Sequence, residues 1–99
     1  MINELTRHIA VLTVALHIPA AQSLKDKRMV LKSLKEKLKS RFNISVAELD
    51  GQDTWQRSTI AMVMISNDNH FLDSCSQSVL SFIENFHGCE ICEHKMEFV

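Results

Sequence analysis

The sequence holds only two glycines and one proline, and nothing in it forms the glycine-rich loop that cradles phosphates. It has no linker-like segment, no low-complexity stretch and no obvious short repeat. No apolar run approaches the ~20 residues that a bilayer span requires. The opening "MINELTRH" lacks the basic start and apolar middle of a signal peptide, so a cytoplasmic protein without membrane contact is expected. Three cysteines are an odd number for a disulfide framework, and Cys89 and Cys92 fall where a strand is expected, so reduced thiols fit best. No Ser or Cys sits in a recognisable nucleophile elbow, and the histidines are scattered. A non-enzyme without a cofactor is therefore the expectation. A hydrophobic content of 45%, with five Phe and one Trp, suffices for one core, so residues 1–99 are read as one domain.

What is present is a lopsided charge distribution. Residues 24–41 carry eight Lys and Arg against Asp26 and Glu36, a local +6, and the rest of the chain carries −7. Such asymmetry steers polyanions to one surface, yet it also arises when an amphipathic helix has a Lys-rich solvent side.

Local pattern supplies the elements. "HIAVLTVALHI" is β-rich and nearly apolar until Pro19 removes a ladder donor. Ser23 is a suitable N-cap for a helix to about Arg41, with Leu24, Leu31, Leu34 and Leu38 near the helical period and Val30 beside them. "FNISVAELD" and "STIAMVMIS" read as a hairpin across the turn chemistry of "GQDTWQ". "NDN" offers caps for a second helix, whose expected stripe is Phe71, Cys75, Val79, Phe82 and Phe86, ending near Gly88. "CEICEHKMEFV" completes the order β-α-β-β-α-β. That order predicts an α+β, ferredoxin-like βαββαβ sandwich: a four-stranded antiparallel sheet, first and third strands central, with two helices on one face.

The segments "LHIPAAQSLKDKRMVLKSL", "RFNISVAELDGQDTWQRS" and "VMISND" resemble, in order and spacing, the YlxP-like family of small uncharacterised bacterial proteins. The resemblance runs from about Ile9 to Phe98, and "SVAE" to "DTWQR" is its most specific part. It implies a ferredoxin-like fold and a gene commonly found beside those for translation initiation factor two and ribosome-binding factor A. A ribosome-associated role is what that neighbourhood implies. "GCEICEH" is not part of the resemblance.

Several side chains are candidates for function. At about 100° per residue, Lys25, Arg28, Lys32, Lys35 and Lys39 fall within about 80° of one another, a stripe that can track the phosphates of RNA or a ribosomal particle. Its bland reading is the solvated back of a core helix. Lys27 projects into the apolar arc instead; its stem is expected to cover the core edge while the ammonium reaches Asp50 or Asp53, or serves as a phosphate ligand. Asp50, Asp53, Trp55, Gln56 and Arg57 form a candidate interaction loop, with Trp55 either an anchor or packed over the sheet edge and the acids satisfying turn amides. Glu48 joins them in a carboxylate cluster of the kind that holds a divalent cation, but no second acidic motif supports a metal.

"CEIC", flanked by His87 and His94, matches C-x-x-C, but residues three apart on a strand face opposite ways, so structural thiols are expected rather than zinc or redox chemistry. The third strand has no aromatics at alternate positions for stacking bases. Because the first and third strands are apolar on both faces, something must cover the second face, and another copy of the chain is the economical choice. Ile9, Val11, Thr13 and Ala15 are placed there, with His17, Met62 and Met64 as further participants. A protein-interaction module using the Trp55 loop and the open sheet is the alternative to RNA association, and an enzyme or metal or thiol protein is third.

Overall fold

The computed structural model describes residues 5–50 and 54–99. Its elements are β1 (His8–His17), α1 (Leu24–Arg41), β2 (Ser45–Asp50), β3 (Arg57–Ser66), α2 (Asn69–Glu84) and β4 (Glu90–Phe98). The strands form one antiparallel sheet in the order β2-β3-β1-β4. The two apolar strands thus take the central positions, where both faces can be removed from water.

Alternation along β1 divides the sheet into two faces. Leu12, Val14 and Leu16 are buried against the helices, and across the register they meet Met62, Ile60 and Ser58. Leu31, Leu34 and Leu38 of α1 and Leu72, Val79 and Ile83 of α2 close this core. Met62 and Met64 belong to it as well, so they do not lie on the opposite face where self-association was expected to use them. The strand period of two assigns them to the helix side together with Ile60.

Helix α1 starts at a reciprocal cap: Ser23 Oγ accepts the Asp26 N–H at 3.0 Å, and the Asp26 carboxylate accepts the Gln22 N–H at 3.0 Å. Helix α2 departs from its expected form in two ways. It stops at Glu84, where the Asn85 side-chain amide donates to the Ser81 carbonyl at 2.8 Å. Its core face is Leu72, Ser76, Val79, Leu80 and Ile83, while Phe71 is exposed and Phe82 and Phe86 are only partly buried. The rings instead fill the seam beside α1: Phe42 meets Phe82 edge-on at 6.1 Å, and Phe86 lies 6.3 Å from Phe82. Aliphatic side chains take the deepest sites, and the larger rings cover the flank. Gly88, at φ +110°, is where the chain turns back into β4, a conformation that L side chains rarely adopt.

Candidate functional site

The eight bases of 24–41 separate into three groups once the helix is docked. Lys37 Nζ stands 5.3 Å from the centre of the Phe86 ring, and the Arg41 guanidinium 5.5 Å from that of Phe82, so both cover aromatic flank. Lys27 is internal. The remainder are Lys25, Arg28, Lys32 and Lys39, all exposed, and Lys35, half-buried beside the Leu arc. From Lys25 to Lys39 the stripe covers about 21 Å of helix axis.

Lys27 is 1% exposed and is the largest fully buried side chain among the described residues. Its Nζ lies 3.6 Å from Glu48 Oε2 and donates to the Arg57 carbonyl at 3.4 Å. Glu48 Oε2 also accepts the Ser58 hydroxyl at 2.6 Å. Burial of an ammonium is tolerable when a carboxylate and further hydrogen bonds compensate the lost hydration. This location takes Lys27 out of the surface that phosphates can reach. Glu48 had a detectable signal: it shares the parity of Val46, so its side chain faces the helices. Asp53 and the side chain of Asp50, the partners expected for Lys27, lie outside the described residues.

The hairpin residues have diverging roles. Gln56 laces the loop to the β1–α1 connection: its side-chain amide donates to the Pro19 and Ala21 carbonyls at 3.2 and 3.1 Å, and its carbonyl accepts the Ile18 N–H at 2.8 Å. Trp55 stands on this anchored segment at 53% exposure, so it is not packed away over the sheet edge. Arg57 opposes His17 across β1 and β3. His17 in turn lies 3.8 Å from Glu90.

The sheet face away from the helices is open. Val63 is 43% and Ile65 56% exposed, next to the half-buried Val11 and Ile9. Leu49, a bulge residue where the β2–β3 register shifts, is also exposed. At the middle of the face the side chains are small: Thr13 opposes Ala61, and Ala15 opposes Thr59. A hollow lined by Thr13, Ala15, Thr59, Glu93, His94 and Lys95 lies there.

The cysteines do not converge. Cys89 is buried just before β4, whereas Cys92 is exposed at the point where the β1–β4 register shifts. Among the described residues, no three His, Cys, Asp or Glu side chains come together as a metal site.

Burial, with the nearby charge of Glu90 adding to it, pushes the Cys89 thiol up from 9.0 to about 11. The unfolded chain ionises this thiol first, so the associated stability is fully present below about pH 9 and is lost as pH rises to about 11. The loss should be on the order of 2 kcal/mol. Denaturant unfolding of the native chain and Cys89→Ala at several pH values checks this: the native chain should lose more stability across that window, and parallel profiles would contradict it.

Residues 9–96 match the family described as "Protein of unknown function (DUF503)". The chain is 39% identical over 66 residues to "Uncharacterized protein YlxP" of Bacillus subtilis (strain 168), covering 67% of this chain and 72% of that protein. Among solved structures, the de novo designed protein Foldit4 superposes with a TM-score of 0.55 at 12% identity, covering 93% of this chain and 96% of the other. A dimeric ferredoxin-like protein from an uncultured marine organism gives 0.50 at 14% identity, with coverages of 98% and 89%. At these identities the two structures speak for the fold alone. No helix among the described residues is long and apolar enough to cross a membrane.

Proposed function

The chain belongs to the DUF503 family, and since that membership carries no activity, we propose from its surface that it is a non-enzymatic cytoplasmic protein that associates with structured RNA, in a ribosomal or ribosome-assembly particle, through α1. The carrying observation is the exposed row of Lys25, Arg28, Lys32 and Lys39, which remains on the surface once Lys27 is buried beside Glu48 and Lys37 and Arg41 lie over the Phe86 and Phe82 rings. Ammonium and guanidinium groups along one helix face displace the counterions of a polyanion, and that release is the source of affinity. The resemblance to a family whose genes neighbour translation genes favours RNA over other polyanions.

Changing Arg28, Lys32 and Lys39 together to Gln should weaken binding to a structured RNA at low salt by at least about tenfold and flatten the salt dependence of log K by about 2 units. The melting temperature should change little, because these side chains lie outside the Leu arc. Filter binding or fluorescence titration at two salt concentrations measures both quantities. Unchanged affinity in the triple variant, or no affinity in the native chain, would leave the stripe as a solvated helix back and promote protein docking at the Trp55 loop.

A second reading, self-association through the open sheet face, is favoured by a separate observation: Val63 and Ile65 leave apolar surface in water on a face that none of the described elements covers. Light scattering at micromolar concentration tests this reading directly, and a monomer would end it.

A further inference from the structure

Along β1, the outward residues of the open face fall into successive cross-strand rows. One row sets Val11 beside Val63 and Glu97; the next sets Thr13 beside Ala61 and Lys95. On either side of these, Ile9 pairs with Ile65, and Ala15 pairs with Thr59 and Glu93. Two bulky rows therefore adjoin two small ones. The charge on β4 changes sign at the same boundary, with Lys95 Nζ 3.5 Å from Glu97 Oε1 and both side chains more than half exposed.

Resting on the self-association reading, we propose that the occupant of this face is a second copy of the chain in one defined register, with the two-fold axis lying in the interface between the Val11 and Thr13 rows, across the strands. Rotation about that axis keeps each strand over its own counterpart and reverses its direction. Val11 then lies over the partner's Thr13, and Val63 over the partner's Ala61. Farther from the axis, Ile9 and Ile65 lie over the partner's Ala15 and Thr59. Bulky rows enter the hollow of the opposite sheet, as close packing requires. On β4 the same operation sets Glu97 over the partner's Lys95, and Lys95 over the partner's Glu97. Aligned sheets pack with their strands about 30° apart, a small lateral drift at strands next to β1.

Other axes lose one form of complementarity or both. An axis along the strands between β1 and β3 stacks Val11 on Val63 and Thr13 on Ala61, large on large and small on small. An axis running through the Thr13 row, across the strands, sets Lys95 on Lys95 and Glu97 on the partner's Glu93. An isologous interface demands self-complementary surface, and the chosen axis satisfies shape and charge together.

The test uses the full chain with Lys95→Glu, Glu97→Lys, the double change, and an equimolar mixture of the two single variants with one isotopically labelled. Sedimentation and native mass spectrometry read the assemblies, and thermal unfolding verifies folding. The proposal expects a native dimer at micromolar concentration and a dissociation constant at least about tenfold higher for each single variant. It also expects heterodimers in preference to either homodimer in the mixture, and recovery of the homodimer in the double variant. A native dimer indifferent to all these changes would overturn the register while leaving self-association standing. A native monomer would overturn both.

Discussion

Glu48→Ala should lower folding stability by about 3 kcal/mol, the largest loss expected from any single charge change in the chain. The reason is asymmetric burial. Lys27 is enclosed, whereas the Glu48 side chain keeps 20% of its surface exposed and retains the Ser58 hydroxyl whether or not Lys27 is present. Removing the acid takes a carboxylate from 3.6 Å beside a buried ammonium; removing the base leaves a carboxylate that water and Ser58 still serve. Lys27→Met should therefore cost no more than about 1 kcal/mol, since its unbranched apolar chain fits the space of the lysine stem. Adding Lys27→Met to Glu48→Ala should restore at least half of the loss, because the buried charge is removed together with the carboxylate that faced it. Urea unfolding of the three variants measures the pattern. A double variant as unstable as Glu48→Ala alone would show that the pair does not act as a unit.

Leu34→Ala should be comparably damaging, at about 3 kcal/mol, for a different reason. Leu34 is fully buried in the α1 arc, among residues of the central strands and α2, where the surroundings can only partly collapse into the space left behind. For a domain of this size the loss corresponds to a fall of roughly 15 °C in melting temperature. Lys39→Ala, five residues further along α1 on the exposed side, should stay within about 0.5 kcal/mol. Calorimetry of the two variants provides the comparison, and a fall of only a few degrees for Leu34→Ala would mean that α1 contributes less to the core than its burial indicates.

Periodicity and punctuation by themselves determined the element order, the central placement of β1 and β3, and the inward position of Lys27, because each is a local pattern read against a helical or strand period. The basic stripe was legible for the same reason. Other features depended on contacts between segments distant in sequence. Lys27 and Glu48 are 21 positions apart in the numbering, and only the docking of α1 over β2 and β3 brings that acid to the ammonium. The displacement of Phe71 to the surface, and of Phe82 and Phe86 to the flank, follows from how α2 rolls against the sheet, which its own apolar spacing leaves open between two overlapping arcs. The rows of the open face likewise depend on tertiary structure. Each strand shows its alternation locally, but the alignment of Val11 with Val63 and Glu97, and of Thr13 with Ala61 and Lys95, is a matter of cross-strand register that only the folded sheet decides.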